Sequence, residues 1–171
     1  MKKKLSLILI AVFTFNISIC TAQDIQSTES KDSVSACSDK IYTVGKGILL
    51  DAAVGQADRP ATVPECVEGV DALKDYYRLH PIKDGRGAGM IFKVSVAFLV
   101  NCNGEIVEYK LLTSHPGKTM SELADKVLNA VREAPLHWKA ATDAEDNTID
   151  CWQVLDFTVV ESSLAKCSYV Q

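Results

Sequence analysis

The sequence predicts an α+β fold: a three-stranded antiparallel sheet in the order second–first–third, with helices packed on one face. Three observations predict it. Two runs flanking Asn103-Gly104 alternate apolar and polar residues, a helix-period stripe follows over residues 119–133, and a further alternating run occupies 148–160.

The first strand carries Phe92, Val94, Val96, Phe98 and Val100 on one side, with Lys93, Ser95 and Asn101 on the other. Asn-Gly is the dipeptide favoured by a type I′ hairpin turn, whose two central residues need positive φ. A two-residue turn at Asn103-Gly104 sets Cys102 opposite Glu105, Val100 opposite Val107, Phe98 opposite Tyr109 and Val96 opposite Leu111. A one-residue slip would turn every one of these side chains to the wrong face.

The helix is expected over Thr119–Glu133. Pro116-Gly117 breaks the preceding strand, Thr119 and Glu122 have capping-box spacing, and Pro135 ends the helix. Leu123, Val127, Ala130 and Val131 form the stripe that lies on the sheet. Trp138, just beyond, is expected to fill the core beneath it.

The third strand, Thr148–Val160, turns Ile149, Cys151, Leu155, Phe157 and Val159 inward. A helical return makes it parallel to the second strand, so it pairs antiparallel only by lying beside the first. Its other margin is then an open sheet edge. Trp152, Val154, Val160, Ala97, Leu99, Ile106 and Leu112 face away from the helices, a surface too apolar for an ordinary solvated sheet face. The segment Ile41–Val54, with Ile48-Leu49-Leu50, is expected to cover it; a second protein is the alternative.

Three lysines at positions 2–4, an apolar run from Leu5 to Ile19 and small residues at Thr21-Ala22 have the form of a secretory signal peptide over 1–22. A retained anchor, or lipidation at Cys20, would instead hold the chain at a membrane. Residues 23–45 read as a disordered polar lead-in, 46–63 as a segment packing on the domain, 64–160 as the domain, and 161–171 as a tail. The formal net charge of −4 becomes −7 without the three lysines, which disfavours nucleic acid and anionic membrane surfaces as partners.

Beyond residue 22 the cysteines are Cys37, Cys66, Cys102, Cys151 and Cys167. An export signal makes disulfides natural. The strand order places Cys102 and Cys151 on the inner face at adjoining ends, predicting a cross-strand disulfide; two buried free thiols are the alternative. Cys37 and Cys167, one in each tail, are a second candidate pair.

No metal or cofactor is expected, because there is no CxxC motif or Cys/His cluster. His80, His115 and His137 stand in unrelated contexts, with no nucleophile beside them, so no catalytic residues are expected. Gly85-Arg86-Gly87-Ala88-Gly89 precedes a strand, whereas phosphate loops follow one and open a helix. It reads as a flexible lead into the sheet.

Residues 60–160 resemble the C-terminal domain of TonB-type energy transducers. The matching pieces begin with Pro64-Glu65-Cys66-Val67-Glu68-Gly69-Val70-Asp71-Ala72-Leu73, His80-Pro81 and Gly89. They continue with Val100-Asn101-Cys102-Asn103-Gly104-Glu105-Ile106, Ser114 and Ala134-Pro135-Leu136-His137-Trp138-Lys139-Ala140-Ala141. The resemblance implies a periplasmic, non-enzymatic domain that adds an extended partner segment, such as one from an outer-membrane receptor, beside its third strand. Here that edge would be Cys151, Trp152, Gln153, Val154, Leu155, Asp156, Phe157, Thr158 and Val159. Residues 24–59 contain no proline, so the family's proline-rich spacer is missing. The expected function is therefore an envelope protein-interaction module, with an anchored transducer of transport energy and a self-associating (homodimeric) structural protein as alternatives.

Overall fold

The computed structural model describes Cys37, residues 40–44 and residues 59–169. The expected signal peptide, most of the expected lead-in and Ile48-Leu49-Leu50 lie outside these residues. In chain order the elements are β1 (Tyr42–Thr43), β2 (Glu65–Cys66), α1 (Val70–Leu79), β3 (Ile91–Val100), β4 (Ile106–Leu111), α2 (Lys118–Arg132), β5 (Trp138–Lys139), β6 (Ala141–Thr142), β7 (Thr148–Ile149), β8 (Cys151–Val160) and β9 (Ser163–Tyr169).

The fold is α+β, and its main sheet is mixed, with five strands rather than three. Its order is β1–β8–β3–β4, and β9 also pairs with β8. β3 and β8 are antiparallel over their whole length, from Ile91↔Val160 to Val100↔Cys151. β1 joins the start of β8 in parallel, and β9 joins its later part antiparallel. Helix α1 packs on β9, and α2 on β3 and β4.

The alternation of β3 and β8 sets the core. Val94, Val96, Phe98, Val100, Leu155, Phe157 and Val159 are buried together beneath Leu73 and Tyr77 of α1 and Leu123, Val127 and Val131 of α2. Full burial of each large apolar side chain contributes about 1.5–3 kcal/mol. Trp138 packs into this core as expected, its ring 4.7 Å from that of Phe98. On the opposite face Ala97, Leu99, Trp152 and Val154 form a smaller buried cluster, against which Ile41 and Leu112 pack. Of the segment expected to cover that face, Ile41 is seen to do so.

The hairpin keeps its expected register at Val96↔Leu111 and Phe98↔Tyr109, but Val100 faces Ile106 instead of Val107. The loop is longer than two residues: Asn101 N–H donates to Glu105 O at 2.9 Å, which leaves three residues, 102–104, between them. Gly104 N–H donates to Asn101 O at 2.9 Å, and the Asn101 side chain accepts from the N–H groups of Asn103 and Glu105. Within this loop only Gly104, at φ +83°, takes the left-handed conformation, and the register shifts by one residue at Val107 inside β4, between the Leu99↔Glu108 and Val100↔Ile106 pairs. The anchoring Asn101 side chain selects this turn over the type I′ alternative.

The capping box does not form. Gly117 is the N-cap of α2, so Thr119 lies inside the helix. Glu122 instead pairs with Arg86, which also holds Asp84 at 2.7 Å. Together with Lys126, 2.7 Å from Asp84, these pairs tie the Gly85–Gly87 turn to α2. The glycine-rich stretch is thus a fixed corner, not a flexible lead. Arg86 and Lys126 hold the Asp84 carboxyl well below the usual carboxylate range.

Candidate functional site

The edge expected at Cys151–Val159 is occupied by the chain itself. Antiparallel strands send alternate residues' backbone groups to opposite neighbours. Glu161 N–H reaches Met90 O beside β3, while Trp152 O accepts from Val44 N–H, so even-numbered residues of β8 face away from β3. Of these, Trp152 is bonded to the β1 segment, and Asp156, Thr158 and Val160 lie opposite Ser168, Lys166 and Ser163 of β9. Val154 falls in the gap. There Gln153, fully buried, turns its own Oε1 to accept the Val154 N–H at 2.8 Å and donates its Nε2 to Pro64 O at 2.9 Å.

The strand that occupies the edge was expected to be a tail. Residues 163–169 form β9 because Glu161 and Ser162 adopt φ of +49° and +68°, a two-residue reversal with neither Asn nor Gly. Loop residues hold it there. Ser162 O accepts from Ile82 N–H at 3.1 Å, Ser162 Oγ donates to Asp84 O, and a Cβ on Gly87 would lie 2.1 Å from Ser162 Oγ. A bulge between Thr158 and Val159 breaks the pairing register, so buried Leu164 and Cys167 are three residues apart instead of two. That irregular spacing hid the strand from a period-2 reading.

Beside the occupied edge the outer face carries two polar rows in register. Lys93, Thr158 and Lys166 lie across β3, β8 and β9, and Ser95, Asp156 and Ser168 form the next row. They line a depression of about 340 Å³. Ser95 Oγ donates to Asp156 Oδ1 at 2.5 Å. Lys93 and Lys166 make no ion pair among the described residues, which leaves two ammonium groups flanking a hydroxyl. Because Thr158 and Asp156 face β9, their partners Lys166 and Ser168 face β8, and Cys167 and Tyr169 turn their backbone groups outward. Among the described residues β9 pairs with β8 alone.

The expected Cys102–Cys151 disulfide is not present. Cys102 is bonded to Cys37, with Cα atoms 5.9 Å apart, and Cys66, Cys151 and Cys167 are buried free thiols. The register accounts for this: Cys151 faces Val100, while Cys102 already lies in the turn. The suggested Cys37–Cys167 pairing is excluded by the same bond. Burial pushes the Cys151 and Cys167 thiols up to about 12. At the disulfide, Asp150 is 1% exposed; Oδ1 accepts from Cys102 N–H at 2.9 Å and Oδ2 from Cys37 N–H at 3.1 Å.

The histidines are not brought together. His80 stacks on Tyr76, His115 meets the edge of Phe92, and His137 Nδ1 lies 2.6 Å from Glu68. Glu68 also accepts the His137 backbone N–H at 3.1 Å, and these contacts lower its carboxyl to about 2. A cleft of about 310 Å³ between the end of α1 and α2 is lined by Tyr76, His80, Lys126 and Glu133. No helix among the described residues is long and apolar enough to cross a membrane. No family model, curated protein or solved structure matches the chain.

Proposed function

We propose that this chain is a non-enzymatic protein-interaction module of the cell envelope, of the TonB C-terminal type. It takes an extended partner segment as an added strand on the outer margin of β9. The observation that carries this reading is the outward backbone position of Cys167 on β9, a strand that pairs with β8 alone among the described residues. β-Augmentation uses such a margin: backbone bonds supply affinity and flanking side chains supply choice.

The two polar rows indicate the choice. A strand beside β9 places alternate side chains next to Lys166 and Ser168. Lysine on a margin discourages a second apolar strand, and the same charge favours an acidic one. The partner is therefore an extended protein segment with an acidic residue opposite Lys166. The resemblance makes an outer-membrane receptor segment the natural source, and the disulfide agrees with an extracytoplasmic location.

Amide-resolved NMR titration with a capped heptapeptide of alternating Asp and Val tests the reading. Shifts centred on Cys167, weakened several-fold in Lys166→Glu, are expected. Shifts confined to β4, or none at millimolar peptide, would refute it. Concentration-dependent β9 shifts without peptide would assign the margin to a second copy of the chain.

A further inference from the structure

We propose that reduction of the Cys37–Cys102 disulfide converts it, with Asp150, into a binding site for a thiophilic divalent cation of the zinc class. The two Sγ atoms and a carboxylate oxygen of Asp150 lie within 4.8 Å of one another.

The arrangement does not depend on the sulfur–sulfur bond. Asp150 holds the backbone N–H of both half-cystines, one on each oxygen. The segment bearing Cys37 is held further by Tyr42 N–H to Asp150 O at 2.9 Å and Val44 N–H to Trp152 O at 3.2 Å. The turn bearing Cys102 is fixed by the Gly104 N–H to Asn101 O bond at 2.9 Å. Opening the disulfide therefore leaves two thiols on anchored backbone, with Cα atoms near 5.9 Å.

Two thiolates on one zinc ion at about 2.3 Å stand about 3.8 Å apart in tetrahedral geometry. Side-chain rotation reaches that spacing from these Cα positions. Each Asp150 oxygen keeps a lone pair after accepting one N–H, so the carboxylate supplies the third ligand. Its hydrogen bonds to the two cysteine N–H groups orient it as outer-shell bonds do in known metal sites. Cys37 is exposed and Cys102 half-buried, so the fourth position opens to water.

The chemistry balances with a dithiol reductant. It gives two electrons and two protons to the cystine and becomes a disulfide itself. The cation then displaces both thiol protons, so disulfide and metal site are mutually exclusive forms of the same residues.

Cadmium titration of the full chain, reduced by a phosphine and desalted without oxygen, tests this through the ultraviolet sulfur-to-cadmium charge-transfer band. The band should saturate at one cadmium per chain, be absent from the oxidised protein and persist in Cys151→Ser. It should disappear in Cys37→Ser, and the affinity should fall about tenfold or more in Asp150→Asn. Absence of the band from the reduced protein, or its persistence in Cys37→Ser, overturns the proposal. Should Asp150→Asn not fold, Cys37→Ser on the exposed segment decides alone.

Discussion

Gln153 Oε1 accepts the backbone N–H of its neighbour Val154 at 2.8 Å, which closes the stretch of β8 between the β1 and β9 pairings. The other end of the same amide donates to Pro64 O, so the side chain joins the sheet to the segment leading into β2. Both bonds are buried, where an unmet donor or acceptor is costly. The sheet is thus completed by its own chain along β8.

Gln153→Leu keeps much of the side-chain volume and orphans the Val154 N–H and Pro64 O. Each unsatisfied buried group costs about 1–3 kcal/mol, so urea unfolding should show a loss of about 2–4 kcal/mol. A loss below about 0.5 kcal/mol, the range of neutral surface substitutions, would show that the amide is not structural.

Gly104→Ala should be among the most damaging single changes. At φ +83° a Cβ would lie 2.2 Å from the Trp138 carbonyl oxygen, a backbone atom that cannot rotate aside. We expect destabilisation of about 3 kcal/mol or more in the same assay, by the combined action of backbone strain and overlap.

Cys102→Ser removes a crosslink that spans 65 residues. The loss should be about 2–4 kcal/mol. Peptide mapping of the oxidised protein should link Cys37 to Cys102. Iodoacetamide at pH 8 should label Cys66, Cys151 and Cys167 only after unfolding, because burial raises all three thiols, Cys66 to about 11. A Cys102–Cys151 link would contradict the structure.

The Glu68–His137 contact predicts an acid dependence. Glu68 ordinarily titrates near 4.5 and is lowered to about 2, chiefly by the His137 hydrogen bond. A depressed carboxyl stabilises the fold fully above its unfolded value, and that stabilisation is lost as pH falls through the folded one. Stability should decline between about pH 4.5 and 2, and Glu68→Gln should flatten that part of the profile. An unchanged profile in the variant would show that the contact does not set the acid dependence.

The hairpin and β8 were legible because period-2 alternation places Phe98, Val96, Leu155 and Phe157 on one buried face whatever the turn. The turn type was not, because Asn101, outside the Asn-Gly pair, supplies the side chain that holds it. β9 was hidden by a bulge and by an unmarked Glu161-Ser162 reversal, which long-range contacts to Ile82, Asp84 and Gly87 hold in place. The consequence reached the candidate site: residues 151–159 have the right composition for a free edge, and residues from elsewhere in the chain decide that they are not one. The Cys37–Cys102 pairing depends on where a distant segment docks, which no local pattern encodes.

Hydrogen exchange of the Val154, Asp156 and Thr158 amides in the partner-free protein reports whether β8 keeps a free margin. Protection comparable with that of the β8 amides bonded to β3, such as Leu155 and Phe157, is expected. Exchange of these three at the rate of exposed loop amides would contradict it.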